Sequence, residues 1–411
     1  MKKRVVFTGI GILACNAQGR EAFWDSLYYG VSGEKKISLF DADPFNVAMA
    51  GEVSDFDPKA YMGRKGLRSL DRSTKMLVSA SKMALADSRL EITDANTDAT
   101  GVCVGTTLGS LKSIHDFDET TLKEGPRYTN PALFPNTVIN SPASQVSIWN
   151  HIQGFNTTIS TGFTASIDAM HYAYDFIRSG RAQCVLTGGV EELCWQTFYG
   201  FHALRFLSGA REGQRFINCP FDKRRNGIML SEGAALLSME EYGQARKRKA
   251  PVLGEVLGFG YSFDPYRINK YNPRGTGLKT AIRKALKDAR VTAQDIDCIC
   301  ANANSTPQAD KIETEAIKDI FGKQAYQIPV TAVKSMIGES FSASGALAAA
   351  AALGIINKHF IPPTVNYHEK DPACDLDYVP NKVRAASVNK ILIITFGPNG
   401  SSSCMVVGKI R

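Results

Sequence analysis

The sequence predicts an α/β fold made of two similar halves packed into one body. Three observations carry that expectation. Short β-branched runs alternate with amphipathic helical stretches, as in a sheet covered by helices. The second half repeats the plan of the first: a strand, a Gly- or Ala-rich turn opening a helix, and a late strand ending in Gly. A charged stretch closing on proline, Tyr242 to Pro251, separates the halves and sets the expected domains at 1–248 and 249–411.

Taken in order, the first element is Val5 to Cys15, an apolar run behind Lys2-Lys3-Arg4 that loosely mimics a secretory leader. Two glycines and a threonine interrupt it and no linker follows, so it reads as a first strand turning at Gly9 and Gly11. Gly101 to Gly105, Cys184 to Gly189, Ile296 to Ala301 and Ile391 to Gly397 read as buried strands ending near Gly turns. The helical segments are Ser73 to Ser88, Ala165 to Ser179, Gly277 to Ala289 and Ser344 to Lys358. The apolar stretch Gly345 to Ile356 falls short of the roughly 20 residues of a membrane span, so a soluble, cytoplasmic protein is expected. No short-period repeat is present.

Composition narrows the function classes. A chain of 411 residues that is 44% hydrophobic and 21% charged is ordinary globular protein, which excludes disordered, collagenous and coiled-coil architectures. Lys plus Arg is 48 against 40 acids, a net +8 spread along the chain, which indicates neither nucleic acid nor membrane as a partner. The nine cysteines (Cys15, Cys103, Cys184, Cys194, Cys219, Cys298, Cys300, Cys374, Cys404) form no CxxC pair, as expected of buried, reduced thiols without a metal or disulfide frame. Cys298 and Cys300 alternate as neighbours on one strand face would.

The segment expected to carry chemistry is Ser160-Thr161-Gly162-Phe163-Thr164-Ala165-Ser166, where small residues crowd a strand-to-helix turn. Such a turn presents one side chain at a helix N-terminus, where free amides and the dipole favour a thiolate or oxyanion. The prominent side chain is Phe163, and its helical spacing with Ile167, Met170, Tyr174 and Ile177 makes it the first member of an apolar core stripe.

This segment resembles the nucleophile region of the β-ketoacyl synthases, the condensing enzymes of type II fatty acid and polyketide synthesis. The resemblance runs on through Ile177 to Ala182, Thr187 to Glu191, Pro220 to Gly227, Ser231 to Ala235, Ser305-Thr306-Pro307 with Asp310 and Glu313, Lys334 to Gly338, Ile361 to Tyr367 and Phe396 to Gly400. It implies a thiolase-like duplicated five-layer αβαβα sandwich. The family requires a Cys nucleophile and two His that assist decarboxylation and stabilise the enolate. By the resemblance those positions are Phe163, Asn302 and Glu339, while Lys334 is retained; none of the six histidines falls there. Phe has no nucleophile, Asn302 is no acid or base near neutral pH, and Glu339 is an anion where an enolate would form. Lys334 either pairs with Glu339 or satisfies buried carbonyls. Ser160, Thr161, Thr164 and Ser166 read as turn and cap residues, and Cys194 and Cys404 as buried thiols. Condensing activity is therefore expected to be lost.

Within the family this profile resembles the chain-length factor, the ketosynthase β subunit of type II polyketide synthases. That implies an obligate heterodimer with a catalytic ketosynthase, a tunnel that sets polyketide or polyene length, an acyl carrier protein as partner, and no cofactor or metal. Many such factors carry Gln where Phe163 stands, so no priming role is expected. The implied tunnel or interface residues are Leu111, Ile114, Phe117, Leu133 and Phe134, and ordinary dimer packing accounts for any one of them equally well. The basic cluster Arg64, Lys65 and Arg68, with Arg72 and Lys75, is the expected carrier docking site, or else a solvated helix face. Two other classes stay open: an acyl-handling enzyme with altered chemistry at Glu339, Lys334 or a neighbouring Ser, and a homodimeric acyl-binding protein.

Overall fold

The computed structural model describes residues 3–410; Lys2, the first cation of the leader-like start, lies outside them. Apart from two-residue strands such as Ala17–Gln18, which pairs with the first, five main-sheet strands come from the N-terminal half: β1 (Val5–Ala14), β2 (Thr100–Gly105), β3 (Asn156–Ile159), β4 (Cys184–Glu191) and β5 (Gly233–Glu241). Five follow in the C-terminal half: β6 (Gly254–Phe263), β7 (Cys298–Cys300), β8 (Val330–Thr331), β9 (Lys390–Phe396) and β10 (Ser401–Gly408).

The two sheets have one topology. The first runs β3-β2-β4-β5-β1 and the second β8-β7-β9-β10-β6, so each is ordered third, second, fourth, fifth, first. The second strand is parallel to the third and fourth, and the remaining pairs are antiparallel, in both halves. A short antiparallel pairing of Val5–Phe7 with Gly254–Val256 joins them edge to edge.

Helices form the other layers: α1 (Arg72–Ser88), α2 (Leu111–Glu124), α3 (Ser141–Asn150), α4 (Ala165–Arg178), α5 (Trp195–Ala203), α6 (Thr276–Ala289), α7 (Pro307–Phe321) and α8 (Ser344–Lys358). α4 and α8 share a central core with one face of both sheets; α1 and α3 cover the outer face of the first sheet, α6 and α7 that of the second. Strand alternation distributes the side chains. In β9, Ile391 and Ile393 enter the central core while Leu392, Ile394 and Phe396 enter the outer one; in β7, Cys298 and Cys300 face the centre and Ile299 the outside. This is the five-layer thiolase-like sandwich that the resemblance implied.

Three expectations change. β1 does not turn at Gly9 and Gly11 but continues through them to Ala14, with a register shift against β5 between Phe7 and Gly9. The glycines answer a close approach: a Cβ at Gly11 would stand 1.8 Å from the Ala80 carbonyl oxygen of α1, and one at Gly9 2.4 Å from that of Ala84. The apolar run is longer than Gly345–Ile356: with its leading turn it spans Phe341–Lys358, 18 helical residues of mean hydropathy 1.2, long and apolar enough to cross a membrane. It is 83% buried inside the protein, so it is the central core helix. Phe163, finally, is buried but stands apart from the central core that holds Ile167, Met170, Tyr174 and Ile177. It lies in the 3-10 turn Gly162–Thr164, before the helical register of α4 begins.

Candidate functional site

The turn between β3 and α4 is pinned by short polar side chains. Gly162, at φ +74°, donates its N–H to Thr107 Oγ1 at 2.9 Å. Thr161 and Thr164 donate their hydroxyls to Asp168 Oδ2 at 2.5 and 2.8 Å, Ser403 donates to Asp168 Oδ1, and Ser166 Oγ accepts from the Ala346 N–H. These hydroxyls brace the turn, as turn and cap residues do.

Phe163 fills the space that the turn encloses. Its ring meets Phe341 edge-on (centroids 4.5 Å apart, 81°) and Phe201 at 6.4 Å; Phe201 and Phe341 are 5.6 Å apart. On its other side the ring lies against Gly397, where a Cβ would stand 2.4 Å from Phe163 Cδ2. Phe341 has φ +51°, a strained backbone for a bulky residue, costing about 1–3 kcal/mol. The aromatic contacts and its N–H bond to Glu339 Oε1 (3.0 Å) hold it there.

Behind the aromatic trio lies a buried polar network. Lys334, at the head of the short helix Lys334–Ile337, is 3% exposed and donates Nζ to Asn302 Oδ1 and Glu339 Oε2, both at 2.8 Å. Glu339 accepts three further bonds: from Asn304 Nδ2 (2.8 Å), the Phe341 N–H and Ser344 Oγ (2.6 Å). Of the two roles open to Lys334, the structure forms the ion pair. Phe163, Asn302, Lys334 and Glu339, scattered in sequence, are thus joined through Phe341 into one cluster. Sequence reasoning missed Phe201, Phe341, Asn304 and Ser344. A signal existed for Asn304: alternation past the end of β7 in Ala301-Asn302-Ala303-Asn304 sets both amides on one side. Nothing local marked the two aromatics.

Glu313 stands behind this network. It accepts the Asn302 N–H at 2.7 Å, its Oε2 has no partner, and burial pushes its carboxyl up to about 8. The unfolded chain releases that proton near pH 4.3, so between the two values the native state holds the extra proton and stability falls as pH rises. Replacing Glu313 with glutamine is expected to flatten the decline in urea midpoint from about pH 5 to 8; an unchanged slope would remove Glu313 as its source. All nine cysteines are buried, and burial raises the Cys15 and Cys300 thiols to about 12, so neither is a thiolate.

Leu111, Ile114 and Phe117 form the half-buried face of α2, turned toward the segment holding Leu133 and Phe134; Phe117 and Phe134 are 6.0 Å apart. A cavity of about 530 Å³ lies along the opposite, polar face of α2, lined by Ser110, Ser113, His115, Asp116 and Glu192. The five expected liners therefore lie outside that cavity, Leu133 and Phe134 exposed and the three on α2 half-buried. Phe134 is 57% exposed, and Leu122, Tyr128 and Ile148 nearby are also open to solvent. β3 ends the row of strands beside it, with no partner on its outer edge among the described residues. Arg64, Lys65 and Arg68 are exposed in the loop and turn before α1. Arg72 leaves that cluster, since its guanidinium grips the buried Glu232 with bonds of 2.6 and 2.8 Å. Lys75 is half-buried.

Residues 2–245 match the family described as beta-ketoacyl synthase, N-terminal domain, and 253–368 match beta-ketoacyl synthase, C-terminal domain. The chain belongs to the β-ketoacyl synthase family, the condensing enzymes of fatty acid and type II polyketide chain elongation. It is 34% identical over 410 residues to 3-oxoacyl-(acyl-carrier-protein) synthase 2 of Coxiella burnetii, covering 100% of this chain and 99% of that one. It is 36% identical over 416 residues to the tetracenomycin polyketide synthase ketoacyl synthase alpha subunit of Streptomyces glaucescens, covering 99% and 97%. Among solved structures, a chain of the ishigamide ketosynthase/chain length factor superposes over the full length of both chains with a TM-score of 0.93 and 32% identity.

Proposed function

We propose that this chain is the non-condensing partner of an active ketosynthase, a chain-length factor that shapes the tunnel in which a polyketide or polyene grows. One observation carries the reading: the head of α4 is occupied by Phe163, sealed by Phe201 and Phe341, while Asn302 and Glu339 are closed into an ion-pair network with Lys334. Such a cluster offers no nucleophile and no free base. The open edge of β3 with the apolar surface of α2 and Leu133–Phe134 supports a partner-binding role, because contiguous exposed apolar surface and bare strand edges are otherwise covered in monomers. The solved relative that pairs a ketosynthase with a chain length factor supports the same arrangement. In this reading Leu111, Ile114, Phe117, Leu133 and Phe134 meet the ketosynthase and the growing chain. Arg64, Lys65 and Arg68 meet an acidic carrier protein, the two halves divide at 248/249, and the complex works in the cytoplasm.

Native mass spectrometry of the chain co-expressed with an intact ketosynthase from the same source is expected to give a 1:1 heterodimer. A stable homodimer that ignores the ketosynthase would sink the reading. A Lys334→Ala/Glu339→Ala double variant that still folds is expected to leave product formation intact; loss of product at full heterodimer yield would favour altered chemistry at this pair.

A further inference from the structure

The cations are dispersed in sequence, but folding gathers many of them at one end of the molecule. β1 starts there at Val5, β5 and β10 end there at Glu241 and Gly408, and α4 and α6 finish there at Arg178 and Ala289. It is the end opposite Phe163, which stands at the start of α4. Lys3 reaches over Gly180, the neighbour of Arg181. Arg4 and Arg246 both stack on the Tyr242 ring, at 4.5 and 5.7 Å, and Arg178 and Arg181 stack on Tyr174 and Phe176. A cleft of about 310 Å³ beside them has Arg4, Arg290, Lys390, Lys409 and one carboxylate, Glu255, as its charged lining, with Leu257, Val291 and Ile410 between them.

Few of these charges are neutralised. Glu255 pairs with Arg4, Glu240 with Arg248 and Asp295 with Lys390. Lys3, Arg181, Lys247, Lys249, Arg290 and Lys409 remain exposed, with no ion-pair partner among the described residues. Negative helix ends account for Arg178 and Arg290. They do not account for Lys3 and Lys409, which flank strand ends.

We propose that this basic pole is a docking surface for an anionic lipid bilayer, by surface attachment without a spanning segment. A protein partner would need a desolvated aromatic or aliphatic centre, and lysine is depleted from such interfaces. Most of the large exposed hydrophobics lie elsewhere, on α2, α5, Leu133–Ile139 and Tyr261–Ile268, while Tyr172 borders the pole, stacked on the Phe176 ring beneath Arg181. A duplex is read by a helix or ribbon that enters a groove, and this pole presents strand termini and helix C-terminal ends. Long flexible cations with little exposed apolar surface among them suit diffuse attraction to phosphate headgroups, each adding about fivefold to partitioning and acting within a Debye length of about 8 Å at physiological salt. Docked this way, the start of α4 faces away from the bilayer.

The test is co-sedimentation of the full chain, in complex with its ketosynthase where it has one, with phosphatidylcholine vesicles with or without phosphatidylglycerol. Binding is expected only with phosphatidylglycerol and is lost at high salt. A Lys247→Glu/Lys249→Glu/Lys409→Glu variant is expected to bind at least about a hundredfold more weakly, since loss of three cations alone gives that factor and the new carboxylates are repelled. An Arg267→Glu/Lys270→Glu/Arg274→Glu variant makes the same charge change in the exposed loop past the far end of β6 and is expected to bind nearly as well as the parent. No binding, equal binding to both vesicle types, or equal losses in the two variants would overturn the proposal. So would tighter retention by duplex DNA than by phosphatidylglycerol vesicles at the same salt.

Discussion

Replacing Glu339 with alanine is expected to lower folding stability by about 3–5 kcal/mol, more than the reciprocal Lys334→Ala change does. The asymmetry follows from what each deletion strands. Without Glu339, the 3%-exposed Lys334 keeps Asn302 Oδ1 as its one side-chain acceptor, and three donors, Asn304 Nδ2, the Phe341 N–H and Ser344 Oγ, lose theirs together. Without Lys334, those same three donors still serve the carboxylate, so the loss sits at the lower end of that range. The double alanine variant removes both buried charges and is expected to fall short of the sum of the singles by about 1–3 kcal/mol. Urea unfolding of the three variants measures the cycle. Additive losses would mean that the two groups are held independently of each other.

The fold was legible because its signals are local and redundant. The alternation in β7 and β9 and the continuous apolarity of α8 place residues on faces without any knowledge of the partner layer. Where the reading slipped, the deciding contact came from far away in the chain. Gly9 and Gly11 resemble turn residues, but their reason is the backbone of α1, some 70 residues on. Phe163 fits the apolar period of α4, yet the 3-10 turn rotates it off the stripe toward Phe201, Phe341 and Gly397. The polar half of the site was legible as identities at Asn302, Lys334 and Glu339. That they close on one another depends on how the end of β7 meets the turn before α8, which no local pattern encodes. The basic pole was invisible for the same reason: Lys3, Arg181, Lys249, Arg290 and Lys409 come from five separate segments.

The second large effect is expected at Phe163. Truncation to alanine empties the space between Phe201, Phe341 and Gly397, and loss of a buried aromatic ring of this kind costs about 3–5 kcal/mol. Gly397→Ala strains the same contact from the other side, since its new methyl would stand 2.4 Å from Phe163 Cδ2, an overpacking penalty of about 1–3 kcal/mol. The two changes are expected to compensate: Gly397→Ala should be milder in the Phe163→Ala background than in the parent. Rescue stays incomplete because the methyl also meets Asn399 Oδ1 at 2.8 Å. The functional consequence is sharper. Phe163→Cys sets a thiol at a helix N-terminus, where thiolates are favoured, but Asn302 still offers no acid or base and Glu339 still opposes an enolate. The single variant is therefore expected to yield no condensation product, assayed with the partner ketosynthase's own cysteine replaced. Activity is expected only with Asn302→His and Glu339→His added to Phe163→Cys. Condensation by the Phe163→Cys chain alone would show that the chemistry was lost at one position and that the ion-pair network behind it is incidental.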